Sequence, residues 1–260
     1  MLPTQRNAFA ALVAAALAAS PALAQADDAK TLLKSMSDYL ASQQNLSAEY
    51  DVGLGVLTTE GQKIEFTASG TSALVRPSKL HVTRRGGYSD VEVVFDGQTV
   101  SIVDRAHNSY TQVKATGTVD QLLDQVRTKY NVELPGADLL MSNSYDELMT
   151  DVVEAKHIGQ GVVGGQDCEH LAFRNQDTDW QIWIRSSGKP LPCKLVITSK
   201  QVKGMPEYSI TFRDWKTDAV GDSAFAFTPP SGFKSVSLQD LKGVSDLPAQ
   251  AAAIRKGGKQ

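Results

Sequence analysis

Four histidines, two cysteines and 29 carboxylates are the residues of this 260-residue chain whose types could do chemistry. His81, His107, His157 and His170 fall one to a strand or turn. None shares a His-x-x-x-His or His-Glu-x-x-His spacing, which would aim two imidazoles at one metal or one water. No Gly-x-Ser-x-Gly elbow exposes a nucleophile, and no glycine-rich loop is set to cradle phosphate. The carboxylates are scattered over strand exteriors and helix starts, where solvation accounts for them. Each histidine therefore reads as a surface or hydrogen-bonded residue. The chain reads as a non-enzyme with no cofactor and no metal.

Cys168 and Cys193 are the two cysteines, and a lone pair in an oxidising compartment is expected to form one disulfide. Two other readings stay open. Cys168 and His170 alternate on one strand face and could join Cys193 around a metal, with His157 as a speculative fourth ligand. Redox chemistry is disfavoured because no helix start follows either thiol to lower its pKa. The disulfide meets one difficulty. In a simple meander the two cysteines sit on next-nearest strands, roughly 10 Å apart, whereas a bridge needs Cα atoms within about 7 Å.

The oxidising compartment is inferred from the first residues. Arg6 gives a positive start, Ala8 to Ala19 is apolar, Ser20-Pro21 breaks the run, and Ala22-Leu23-Ala24 offers small residues at a cleavage site. This order reads as a secretory signal peptide, residues 1–24, cut before Gln25. The apolar run falls short of the roughly 20 residues of a membrane span, and no cysteine follows for lipid attachment. The expected product is a periplasmic chain of about 236 residues. Without Arg6, 25 Lys and Arg stand against 29 Asp and Glu, a formal charge of −4. That balance, with no basic stripe, excludes a nucleic-acid partner.

Periodicity then sets the elements. Leu32, Leu33, Met36 and Leu40, with Tyr39 beside them, predict an amphipathic helix over 29–42. Tyr50, Val52, Leu54 and Val56 alternate with polar residues, as do Ile64, Phe66 and Ala68. Leu80 and Val82, Val91 to Phe95, Thr99 to Val103 and Asn108 to Val113 complete about six antiparallel strands. Gly86-Gly87 is expected to supply positive φ to one hairpin, and Asp96-Gly97 is the strongest hairpin signal. A helical insert of about 118–150 follows. Thr118 with Gln121 forms a capping-box pattern ahead of Leu122, Leu123, Val126 and Tyr130, Ala137 to Met141 is a short helix, and Ser144 with Glu147 caps a third. A second block of strands is expected at Cys168–Phe173, Trp180–Ile184, Leu195–Thr198, Tyr208–Trp215 and Ala224–Thr228. A short helical pattern lies near 237–241, and the tail 245–260 is expected to be disordered. With no linker, residues 25–244 read as one domain.

Within the second block, Cys168-Glu169-His170-Leu171-Ala172-Phe173, Asp179-Trp180-Gln181-Ile182-Trp183-Ile184, Pro190-Leu191-Pro192 and Phe225-Ala226-Phe227-Thr228-Pro229-Pro230 resemble a family of predicted exported bacterial proteins. That family is similar to the lipoprotein-carrier superfamily, which includes LolA, LolB and the sensor RseB. The resemblance implies a mainly β fold: a large curved antiparallel half-barrel of about 11–12 strands with helices covering its concave face. It implies an apolar cavity for a lipid or the acyl chains of a lipoprotein, and an arginine at the rim. Arg76, Arg84 and Arg85 are candidates for that arginine by region alone.

On this reading the cavity is lined by Tyr50, Leu54, Phe66, Phe95, Ile182, Ile197 and Phe212. Each methylene withdrawn from water gains about 0.8 kcal/mol, so a 16-carbon chain needs shelter worth on the order of 12 kcal/mol. The other reading is a sensor or docking module for an inner- or outer-membrane envelope protein, touched through Trp183 and the Arg84-Arg85 turn. The chain is read as a monomer in both.

Overall fold

The computed structural model describes residues 21–130, 134–243 and 247. Most of the expected leader, the side chain of Tyr130, and the tail other than Leu247 lie outside them. Helix α1 (Pro21–Ser42) spans the expected cleavage point. Its buried stripe is Ala29, Leu33, Met36 and Leu40, all without solvent contact, at the i, i+4, i+7, i+11 spacing that keeps one helical face turned inward.

The sheet is a single open, curved layer of twelve strands. The first block is a meander: β1 (Asn45–Leu57), β2 (Lys63–Val75), β3 (Lys79–Gly86), β4 (Asp90–Phe95), β5 (Thr99–Asp104) and β6 (Ser109–Lys114). The second block is another: β7 (Glu154–Val163), β8 (Gln166–Arg174), β9 (Thr178–Arg185), β10 (Pro192–Ser199) and β11 (Glu207–Lys216). They join where β1 pairs antiparallel with β11. A two-residue β12 (Lys234–Ser235) adds to β6 as the parallel exception. The order is β12-β6-β5-β4-β3-β2-β1-β11-β10-β9-β8-β7.

This order explains the helical insert. The first block ends near one edge and the second begins at the other, ten strand spacings away, about 48 Å if flat. The chain must cross the sheet to start β7. Helix α2 (Val119–Tyr130), a 3₁₀ turn at Ala137–Leu140 and α3 (Ser144–Met149) make that crossing. Val119, Leu122, Leu123, Leu139 and Met141 pack in one core with α1 and with Leu80, Phe95, Val100, Leu171 and Ile182 of the sheet. The expected capping box is present: Thr118 N–H donates to Gln121 Oε1 at 2.9 Å and Gln121 N–H to Thr118 Oγ1 at 3.2 Å.

Several expectations are corrected. Ala224–Thr228 is not a strand; a 3₁₀ turn at Asp222–Phe225 stands there. The cause is topological: β11 already has β1 and β10 on its two sides, so the segment after it finds no free edge. It instead crosses the opposite face, where Lys79 Nζ meets Asp222 at 2.6 Å and Phe227 packs on Tyr110. The cap of α3 is Asn143, whose amide reaches Glu147 Oε1 at 2.8 Å, while Ser144 is buried inside the helix. Gly86 and Gly87 do not have positive φ. Gly86 is required instead by closeness, since a Cβ there would lie 2.9 Å from the Thr67 carbonyl. Gly97 does adopt φ of 93°, and Asp96 Oδ1 accepts the amides of Gln98 and Thr99 in the same turn. In the expected tail, Leu247 is buried rather than solvated.

The cysteines are bridged. Cys168 on β8 and Cys193 on β10 reach across the end of β9 with Cα atoms 7.0 Å apart. The irregularity of pairing at Pro192/Lys194 lies beside Cys193. No metal-binding cluster occurs among the described residues.

Candidate functional site

Strand register decides which side chains share a face, because alternate residues point to opposite sides. Following the pairs outward from β1, one row runs Phe66, Leu54, Tyr208, Ile197, Trp180, Phe173, Ala155 across seven strands. The neighbouring row is Ala68, Val52, Ile210, Leu195, Ile182, Leu171 and His157. Tyr50 pairs with Phe212 in the next. Leu80, Val82 and Arg84 on β3, with Phe95 and Val93 on β4, continue the same face. All seven residues expected to line a cavity therefore lie on the face that carries the helices.

They divide in two. Phe95 and Ile182 are fully buried, packed into the large core beneath the helices. Tyr50, Leu54, Phe66, Ile197 and Phe212 gather around the centre of the sheet, and of these Ile197 and Phe212 also pack against the large core. There, Val52, Ala68 and Ile210, with Tyr50, Tyr208 and Phe212 against them, form a second, smaller cluster. Its members are all strand residues. Phe66 meets Tyr88 edge-on with ring centroids 5.6 Å apart, and Tyr88 and Ile64 are 51% and 36% exposed. The apolar surface thus runs from a sealed region under α1 and α2 to an open end at the β1–β2 and β3–β4 hairpins.

Tyr50 forms the floor of this region. Its hydroxyl donates to the Thr83 carbonyl at 2.8 Å, which lays the ring across Gly70; a Cβ on Gly70 would come within 2.7 Å of the Tyr50 oxygen. Tyr208, Val52, Ala68, Ile210 and Tyr88 were outside the expected lining. Strand alternation places Tyr208 with Ile210 and Phe212, but joining them to Leu54 needs the β1–β11 pair, which no local signal announces.

The three arginines that were candidates for a rim position separate. Arg76 donates from Nε to the Gln43 carbonyl at 3.2 Å and from Nη2 to the Leu40 carbonyl at 3.4 Å, closing the C-terminal end of α1. Burial holds its guanidinium below the usual arginine range, against the opposing pull of Asp120. Arg85 lies on the other face, 83% exposed and 3.7 Å from Asp90. Arg84 alone shares the apolar face. Trp183, on the opposite face, stacks on His170 at 4.0 Å and carries Lys194 Nζ 5.6 Å from its ring centre.

All four histidines have polar partners. His81 meets Glu92 and His107 meets Asp104; His170 meets Gln181. His157 lies between Glu169 and Asp28. Burial pushes the Glu169 carboxyl up, but hydrogen bonds from Gln160, His157 and Ser186 outweigh it and hold the group below the usual range. Asp179 is likewise lowered, its burial overcome by Lys200 and Arg174.

No helix among the described residues is long and apolar enough to cross a membrane. No curated protein is a significant sequence match to the chain. Among solved structures, lipoprotein LppX of Mycobacterium tuberculosis is 12% identical, with 75% of this chain and 98% of that chain covered and a TM-score of 0.44. A LolA superfamily protein of Nitrosomonas europaea is 10% identical, covering 76% and 97%, at 0.36. The MucA/MucB complex of Pseudomonas aeruginosa gives 11%, 77% and 61%, at 0.42. A model of the family described as predicted periplasmic protein matches residues 29–239. From the first buried residue of α1 to the last turn after β12, the chain belongs to this predicted periplasmic protein family, DUF2092.

Proposed function

We propose that this chain is a non-catalytic periplasmic protein that holds a lipid, or the acyl chains of a lipoprotein, against the helix-bearing face of its sheet. The observation that carries this reading is the second apolar cluster. Val52, Ala68 and Ile210 cluster with other strand residues, Tyr50, Tyr208 and Phe212, and the insert reaches this cluster at Gly136, where a Cβ would lie 2.5 Å from Ile210 Cδ1. An extended chain laid along Phe66, Leu54, Tyr208 and Ile197 would contact one row of the sheet from β2 to β10. It would enter past Ile64 and Tyr88. Phe95 and Ile182, sealed in the main core, form the backing of the site rather than its lining. The leader, residues 1–24, would deliver the chain to the periplasm.

The test is binding of a fluorescent fatty acid to the purified protein, compared with Phe66→Asp. The half-buried Phe66 can be changed without opening the main core. Saturable binding in the wild type, weakened at least about ten-fold in the variant (about 1.4 kcal/mol) at unchanged circular dichroism, supports the reading. Absence of binding in the wild type contradicts it.

A docking function is the second reading, and the free edge of the sheet favours it. On and beside β7, Val153, Ile158 and Val162 are exposed at 73%, 53% and 68%, and an unpaired strand edge is a site for another chain to add. Crosslinking in intact envelopes separates the two. A stoichiometric protein partner lost on Ile158→Lys, with lipid binding absent, favours docking.

A further inference from the structure

Helix α1 is fastened at both ends, by groups of different kinds. Its C-terminal end is closed by Arg76 on the Leu40 and Gln43 carbonyls, and a guanidinium keeps its charge at every physiological pH. Its N-terminal end meets the sheet through His157 of β7. The Nε2 of His157 lies 2.9 Å from Glu169 Oε2 on β8, and its Nδ1 lies 3.4 Å from Asp28 Oδ2 on α1. The charged groups facing the imidazole are thus Asp28 from the helix and Glu169 from the neighbouring strand. On its own strand, Lys156 turns to Glu154 at 2.6 Å, and Gln160 donates to the other oxygen of Glu169 at 2.9 Å.

We propose that His157 is a pH-responsive latch, holding the N-terminal end of α1 to the sheet when protonated and freeing it when neutral. An imidazolium has an N–H on each nitrogen and can serve both carboxylates at once. A neutral imidazole has one N–H and must present a lone pair to the other carboxylate. Glu169 is the better held acceptor: it is 15% exposed, and Gln160 also donates to it. It keeps the single proton, and the 70% exposed Asp28 faces the lone pair. The Arg76 end does not titrate, so release is one-sided and α1 pivots about its C-terminus. Ala29 and Leu33 are then the first core side chains to lift. The sign follows: the imidazolium closes the latch and the neutral ring opens it, so the closed state is favoured at the acid end of an interval of about pH 5.5 to 8. Glu169, held below the usual carboxylate range, stays ionised across that interval. The latch stands on this geometry whether or not the sheet takes a lipid.

Amide hydrogen exchange of the full chain, corrected for the intrinsic pH dependence of exchange, tests it. In the wild type, protection of residues 28–33 should fall about five-fold between pH 5.5 and 8, while residues 38–42 beside Arg76 stay level. His157→Gln retains a neutral donor and should abolish the change. Asp28→Asn, at an exposed position that leaves the core intact, should also flatten it. Protection that is level with pH in the wild type, or an equal change in the two variants, would overturn the latch.

Discussion

Tyr50 and Gly70 are a pair in which each residue explains the other. The phenol lies flat because its hydroxyl reaches the Thr83 carbonyl, and it can do so only because residue 70 has no Cβ. Alternation in the sequence puts Tyr50 on the apolar face but gives no sign that the ring crosses to β3. Gly70→Ala should therefore destabilise the protein by about 1–3 kcal/mol, the usual range for overpacking a filled site, seen as a lower urea midpoint. An exposed glycine such as Gly164, with open space at its Cβ, would not report this clash. The lowered carboxyls give a second expectation at this scale. Asp179 is held by Lys200 and Arg174, so its folded pKa lies below its unfolded one. Its contribution is present above the ordinary value of 3.8 and is lost as pH falls through the lower folded value. Asp179→Asn should lower stability at pH 7 while making the decline below about pH 4 shallower, as followed by thermal melts across pH.

Among the elements, those governed by local rules were legible and those governed by neighbours were not. Helix α1 and the Thr118–Gln121 box follow from spacing, since a buried stripe and a reciprocal cap are both short-range patterns. The alternation in Ala224–Thr228 is just as regular, yet no strand forms because β11 has no free side. The disulfide was legible as a pairing but not as a geometry: strand spacing argues against next-nearest partners, and the bridge succeeds by passing the end of β9. It closes a loop with a sequence separation of 25. Chain-entropy arguments put the stabilisation from such a loop at about 3.5 kcal/mol, so Cys168→Ser with Cys193→Ser should lower the urea midpoint accordingly, with the m-value showing whether the unfolded state also changes. Met36→Ala should remove about 2–5 kcal/mol, because the side chain is fully buried at the α1–sheet contact.

At the scale of the molecule, the two meanders meet at the β1–β11 pair, and that single long-range pairing aligns Leu54 with Tyr208 and Val52 with Ile210. Sequence alternation named five residues that surround this seam, Tyr50, Leu54, Phe66, Ile197 and Phe212. It also named Phe95 and Ile182, which lie deeper, since periodicity reports a face and not what covers it. The insert's path across the sheet, dictated by the strand order, decides that. The central claim is that the smaller apolar cluster around Val52 and Ile210 is a seat for an acyl chain. The most direct measurement is mass spectrometry of the native protein purified from envelopes without solvent, followed by organic extraction. A stoichiometric lipid mass, lost in Phe66→Asp and retained in the edge variant Ile158→Lys, is the expected result. A wild-type protein that carries no lipid and takes up none from added vesicles would contradict the claim.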